Sequence, residues 1–338
     1  MSETNFSRQK TASQGTAGEM GDTLVKAQNT AKAILDNVEQ VIVGKRAAIE
    51  LAVIALISKG HLLIEDAPGV GKTMLARSLA RSLDCTFKRI QFTPDMLPGD
   101  ITGVSVYNQK TGDFEFRPGP VVAQIVLADE INRATPKVQS ALLECMEERQ
   151  ITVDGVSHRM PTPFHVLATE NPIEYEGTFP LPETQLDRFV LRLGIGYPST
   201  PDEITIMENQ QYTHPIEQLN PVASSADVEL LQTAVKRIYV DDLIKQYIAT
   251  LVGATRDHRS IYLGVSPRGS LALFRTAQAR ALLQGRDFVL PDDVKALAEP
   301  VLAHRLIARL TDAPGDRSDR AIVHELLDTV PVPGTLAE

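Results

Sequence analysis

One segment constrains this chain more than any other. The strand-like run 61–65, apolar at Leu62, Leu63 and Ile64, leads into Asp66-Ala67-Pro68-Gly69-Val70-Gly71-Lys72-Thr73, and a helical stretch begins at Met74. A buried strand that turns through glycines straight into a helix leaves the helix's first N–H groups pointing at the turn. The helix dipole adds positive potential there, so the turn is an anion cradle. Gly69 and Gly71 permit the backbone angles and close approach that a cradle needs. Lys72 is placed to reach the β- and γ-phosphates of a nucleotide, and the Thr73 hydroxyl to ligate magnesium. The expected nucleotide-contacting run is therefore Pro68, Gly69, Val70, Gly71, Lys72, Thr73 and Met74, with ATP and Mg2+ as its ligands. The general pattern G-x-x-x-x-G-K-[ST] has a glycine where this chain has Asp66.

The surrounding pattern suits such a loop. Short apolar runs at 87–91, 125–128, 164–169 and 190–193 join 61–65 as buried strands alternating with helical stretches, which predicts a parallel five-stranded sheet between helix layers. Two β-hairpins are predicted within that scheme. One spans 103–116 and turns near Thr111-Gly112-Asp113; the other spans 151–159 and turns at Asp154-Gly155. Ahead of the sheet, Leu24, Ala27, Ala31, Ile34, Leu35 and Val38 recur at helical spacing, and a second helix is expected from about Lys45 to Ser58. After Tyr197-Pro198 strand signals end. Helix starts at Ser199-Thr200-Pro201-Asp202, at 225–227 and at Pro291-Asp292-Asp293 each offer a capping residue or a first-turn proline. The expected organisation is a disordered tail over 1–20, a three-layer αβα ATPase core over 21–198, an all-α lid over 199–330, and a flexible tail over 331–338.

A third strand that ends in Ala128-Asp129-Glu130 sets two carboxylates at the sheet's C-terminal edge, where open α/β sheets bind ligands. Asp129 is expected to support magnesium through water, and Glu130 to polarise the attacking water. The competing reading is that the pair merely opens the next helix, where acids are favoured.

With these motifs in order the chain resembles the MoxR branch of the AAA+ ATPases. The likeness continues through Glu130-Ile131-Asn132-Arg133-Ala134, Ala168-Thr169-Glu170-Asn171-Pro172, residues 181–189 and Ser266-Pro267-Arg268. It covers about residues 25–315 and departs at Glu170, where many relatives carry glutamine, and at Asp66, although acidic residues are familiar there within this branch. The resemblance implies ATP hydrolysis. It matches Asn171 to sensor 1, Arg188 to an arginine finger acting on a neighbouring subunit, and Arg268 to sensor 2. It also sets Val43, within 41–44, against the adenine. Bland readings compete: a turn residue for Asn171, an ion pair with Asp187 or Glu183 for Arg188, a solvated side chain for Arg268. Arg133 is an interface candidate. The family further implies a hexameric ring of identical subunits and a chaperone-like role in maturing protein complexes, sometimes with metal cofactors, beside von Willebrand factor A-domain partners.

Other AAA+ functions are nucleic-acid motors and subunits of metal chelatases. The balance of 34 basic against 43 acidic residues, with no Trp, disfavours a nucleic-acid grip. No His/Cys cluster offers a chelation site. The two cysteines, Cys85 and Cys145, are read as small packing residues. No apolar run approaches the roughly 18 residues of a membrane span. The N-terminal residues lack a signal-peptide core, so a cytoplasmic location is expected.

Overall fold

The computed structural model describes residues 4–172, 177–309, 318–332 and 334, with side chains from residue 21 onward. In chain order the strands are β1 (Leu62–Glu65), β2 (Phe87–Gln91), the pair β3 (Gly103–Asn108) and β4 (Asp113–Pro118), and β5 (Ile125–Asp129). A second pair, β6 (Gln150–Val153) and β7 (Val156–Arg159), precedes β8 (His165–Glu170) and β9 (Leu191–Leu193). Five of them form one parallel sheet in the order β2-β5-β8-β1-β9, in register Leu62↔Leu167 and Leu127↔Leu167 across its middle. β5 and the first five residues of β8 are buried on both faces, which is why they read as unbroken apolar runs rather than alternating ones.

Helices α1 (Thr4–Glu39) and α2 (Arg46–Ile57) precede the sheet, and α3 (Lys72–Ser82), α4 (Pro98–Thr102), α5 (Pro136–Glu148) and α6 (Glu183–Leu186) interleave with it. One face of the sheet packs on α5 through Leu63, Val126, Ala128, Val166, Leu142 and Met146. The other packs on α1, α2 and α3 through Ile64, Leu127 and Leu167. Helix α1 begins at Thr4, so residues 4–20 of the segment expected as a tail over 1–20 lie in its first half. No proline interrupts 4–39, and adding residues to a helix already anchored at Ala27, Ala31 and Ile34 needs no new nucleus. Of the expected tail over 331–338, only 331, 332 and 334 lie within the described residues.

After β9 come α7 (Thr200–Asn209), α8 (Pro215–Gln218), α9 (Ser225–Val235), α10 (Asp242–Asp257), α11 (Pro267–Leu283), α12 (Pro291–Leu302) and α13 (Asp319–Thr329). Ser199, Ser224 and Ser266 cap α7, α9 and α11 by accepting from backbone N–H groups two or three residues on; Ser199 stands where the sequence predicts a cap, and Ser224 lies one residue ahead of the start expected at 225–227. Two short strands were not anticipated in this helical region. β10 (Ile261–Leu263) and β11 (Ile307–Ala308) pair antiparallel, too briefly to leave a periodic signal. The apolar cluster of α1 and α2 continues without a break into α9–α12, through Leu231, Leu251, Leu273 and Leu297. A buried arginine adds a polar seam: Arg305 donates to the Asp187 carboxylate at 2.8 Å and to the Phe189, Val190 and Val301 carbonyls. The Ser266 hydroxyl donates to the other Asp187 oxygen at 3.0 Å.

Two imidazoles lie stacked at the start of the strands, 6.2 Å apart. His61 Nε2 donates to the Met146 carbonyl at 3.1 Å while its Nδ1 accepts from the Val166 N–H at 3.0 Å, the pattern of a neutral ring. His165 Nδ1 donates to the Gly60 carbonyl at 2.8 Å. Burial drives the His165 pKa down to about 4, and burial together with His165 drives that of His61 well below the usual value. The unfolded chain therefore takes up these protons first as pH falls. Stability present above about pH 6.5 is expected to decline progressively toward pH 4, with His165 alone contributing about 3 kcal/mol over that window. Denaturant melts between pH 7.5 and 4.5 check this, and His165→Gln is expected to flatten the profile; an unchanged profile would show the ring is not the source.

Candidate functional site

Because every strand of the sheet runs the same way, their C-terminal ends share one edge. The loop 66–71 leaves β1 there, Asn171 follows β8, and Asp129-Glu130 closes β5. Glu65 pairs with Glu170 and Ala128 with Ala168, so the sheet register alone brings these groups together.

Gly69 and Gly71 have φ of +84° and +100°, the region that disfavours side chains, while the space beside each is open. Conformation, not crowding, thus demands glycine there. Gly71 caps α3, so Lys72 and Thr73 begin its first turn. The Lys72 ammonium is buried and donates to the carbonyl oxygens of Asp66 at 2.7 Å and Glu170 at 3.2 Å, across the ends of two adjacent strands. Val70 and Met74 pack against the apolar cluster below.

Asp129 is held from both sides. Its Oδ1 accepts from the Thr169 hydroxyl at 2.7 Å, and its Oδ2 accepts from Arg89 at 2.6 and 3.0 Å. Thr169 also accepts from the Glu130 N–H at 2.8 Å, so one fully buried hydroxyl fixes both acidic residues. Glu130 adopts the left-handed conformation, φ +57°, which swings it out of the strand. Its carboxylate accepts from Gln91 at 2.7 Å and pairs with Arg133 at 3.2 Å. Asn171 is only 4% exposed. Burial, with Glu65 adjacent, pushes the Glu170 carboxyl up to about 7.

Among the described residues no group of three His, Cys, Asp or Glu side chains could hold a metal by itself. One hydroxyl at Thr73 and one carboxylate at Asp129 instead fit a magnesium ion that arrives with nucleotide phosphates and keeps several waters.

The arginines lie elsewhere. Arg188 precedes β9, at the edge where the strands begin, beside Gly60 and His61. Its partner is neither Asp187 nor Glu183 but Glu147, at 3.1 Å. Asp187 is instead committed to Arg305 and Ser266. Arg268 shares the same Glu147 at 2.5 Å, so the two arginines flank one carboxylate. Val43 sits in the turn between α1 and α2. That turn meets the chain after β9: the Lys45 ammonium donates to the Tyr197 carbonyl at 2.6 Å, and Gly44 lies against Asp202.

Sequence reasoning missed Arg89, Gln91, Thr169 and Glu147. Polar residues at alternate positions of a strand next to β5 were a signal, but β2 is an edge strand and exposure explains them equally.

The family model described as ATPase family associated with various cellular activities (AAA) matches residues 61–191, and an AAA lid domain matches 253–326. The chain is 41% identical over 314 residues to Chaperone MoxR1 of Mycobacterium tuberculosis, covering 90% of this chain and 83% of that protein. It is 34% identical to Protein MoxR of Paracoccus denitrificans, over 87% and 93% of the two. The crystal structure of a putative ATPase from Cytophaga hutchinsonii superposes with a TM-score of 0.87 at 37% identity, covering 94% of this chain and 98% of that one.

Thr169→Val keeps the shape but removes the hydroxyl that serves Asp129 and Glu130. It is expected to cost about 1–3 kcal/mol in denaturant melts and to raise the magnesium concentration giving half-maximal turnover. An unaltered magnesium dependence would show that Asp129 is oriented without Thr169.

Proposed function

Because the chain belongs to the MoxR family of AAA+ ATPases, we propose that it hydrolyses ATP as one subunit of a closed homo-oligomeric ring and uses the cycle to remodel partner proteins. In this reading Lys72 and the N–H groups opening α3 bind the phosphates. Thr73 and, through water, Asp129 hold magnesium, which neutralises phosphate charge when bound. Glu130, steadied by Gln91 and Arg133, polarises water. As the water oxygen bonds to the γ-phosphorus the bond to ADP breaks, and Glu130 takes the water proton. Asn171, at the end of β8, orients the same water.

The observation that carries the ring is the separation of two edges. Arg188 and Arg268 meet on Glu147 where β1 begins, whereas the P-loop starts where β1 ends. Four strand residues put roughly 13 Å between those edges, so the arginines are out of reach of their own P-loop. A head-to-tail ring brings them to the neighbour's, where they offset charge developing on the transferring phosphoryl group. A hexamer, a von Willebrand factor A-domain partner and a cytoplasmic setting complete this reading, supported by the family resemblance. Among the described residues no helix is long and apolar enough to cross a membrane.

The remodelling role draws support from the hairpins. Phe116 stacks on His158 at 4.0 Å and ties the two hairpins together. Beyond that joint Tyr107 and Phe114 form an edge-to-face pair, 53% and 73% exposed, a surface suited to gripping a partner. Tyr107→Ala is expected to leave basal ATPase and melting temperature unchanged while weakening stimulation by a client; a lost unfolding transition would mark Tyr107 as a packing residue instead.

The trans role is tested by mixing. Lys72→Ala is expected to abolish ATP binding, Glu130→Gln to spare binding and stop turnover. Arg188→Ala should bind ATP yet hydrolyse it about 10³-fold more slowly. Mixing the Arg188→Ala and Lys72→Ala proteins should recover activity, since some interfaces then pair an intact P-loop with an intact Arg188. Mixed assemblies confirmed by light scattering but no more active than the separate variants would make Arg188 a structural ion-pair residue.

A further inference from the structure

The residue at which this loop leaves the general P-loop pattern makes more backbone contacts than a strand-to-loop junction requires. The Asp66 Oδ1 accepts from the Ala67 N–H at 2.8 Å, within the loop. Its Oδ2 accepts from the consecutive N–H groups of Ile195 and Gly196, both at 2.7 Å. Those two residues lie in the connector between β9 and α7, which joins the ATPase core to the helical lid. Gly196 has φ +68°. A left-handed residue there aims successive N–H groups at one point and forms an anion nest, the device that P-loops use for phosphate. Here the connector's nest holds a carboxylate that belongs to the phosphate loop itself. Short bonds to an ionised acceptor are the stronger kind.

Asp66 is tied to the lysine of the loop from its other side as well. Its carbonyl accepts from the Lys72 ammonium at 2.7 Å, and its N–H donates to the Glu170 carbonyl at 3.3 Å. The residue whose main chain holds Lys72 thus has a side chain that holds the connector. Downstream, α7 contains no buried residue, so packing along its length does little to resist movement of the connector.

We infer that Asp66 is a positioning residue for ATP turnover, linking the phosphate-binding loop to the core–lid connector at Ile195 and Gly196 so that nucleotide occupancy is passed to the lid. Phosphates that draw Lys72 off the Asp66 carbonyl release one tether of the loop while the carboxylate keeps its hold on the connector. The shift of the loop is then delivered to the connector. The inference rests on the reading of the loop as an ATP site.

Two substitutions test it. Asp66→Gly restores the general pattern and removes the link. Asp66→Asn is isosteric but has one accepting oxygen, which serves either Ala67 or the connector and not both. Both variants and the wild type are compared in thermal melts, ATP affinity, steady-state turnover, and hydrogen exchange over 194–209 with and without a non-hydrolysable ATP analogue. For Asp66→Asn the expected result is an unchanged unfolding transition and ATP affinity within about threefold of wild type, with kcat about tenfold lower, a typical size for coupling between sites. Analogue-induced protection at 194–198 should be lost in both variants. A merely structural role would lower stability without separating affinity from kcat. ATP affinity that falls together with intact kcat and intact protection would place Asp66 in the shape of the loop and overturn the inference, as would variants indistinguishable from wild type. Wild-type protein without turnover and without ATP-dependent protection would overturn the reading of the site, and this inference with it.

Discussion

A single constraint organises this molecule: five strands lie parallel in one sheet, so each must leave it at the same edge. Parallel pairing requires a crossover after every strand, and the crossovers cover both faces with helices. The C-terminal edge then collects the loop after β1, the acids at the end of β5 and Asn171 after β8, although far-separated parts of the chain supply them. The N-terminal edge collects what precedes the strands, including His61, His165 and, ahead of β9, Arg188. The chain is thereby two-faced, with the proposed nucleotide site at one edge and Arg188 and Arg268 meeting on Glu147 at the other. The proposed head-to-tail ring is an assembly that such a division suits.

The lid is joined to this sheet at both edges by carboxylates. Asp66 holds the connector at the P-loop edge. Asp187, next to Arg188, holds Ser266 and Arg305 at the other. Arg305 is nearly inaccessible, and burial depresses its pKa, so its charge is tolerable only because a carboxylate and several carbonyls meet its donors. The apolar cluster running from α1 and α2 into α9–α12 supplies the bulk of the contact. The polar links favour its register, since a half-buried carboxylate out of line with its donors loses more than an apolar side chain slightly displaced.

Local chemistry made much of this legible beforehand. The glycines at positions 69 and 71, the capping serine of α7, the Asp154-Gly155 turn and the unbroken apolar runs each carry a requirement that neighbouring residues satisfy, so a short window is enough to read them. The reach of α1 back to Thr4 is less legible, because composition reports the cost of burying a segment, whereas these turns extend a helix anchored further on. The strands β10 and β11 left no trace because a pairing two or three residues long has no period.

What the sequence by itself determined was therefore the kind of fold and the chemistry of the loop. A strand, a glycine turn, a lysine and a hydroxyl in that order admit few alternatives, and two acids at a strand end follow the same local logic. What only the tertiary structure decided was partnership. Arg188 could have paired with Asp187 or Glu183 nearby, yet it pairs with Glu147, and Arg268 joins it there from the lid. Thr169 serves two acids on another strand, and Asp66 reaches a connector far along the chain. Charged and polar side chains choose partners by position in space, and sheet register and helix packing set those positions over separations that no local pattern encodes.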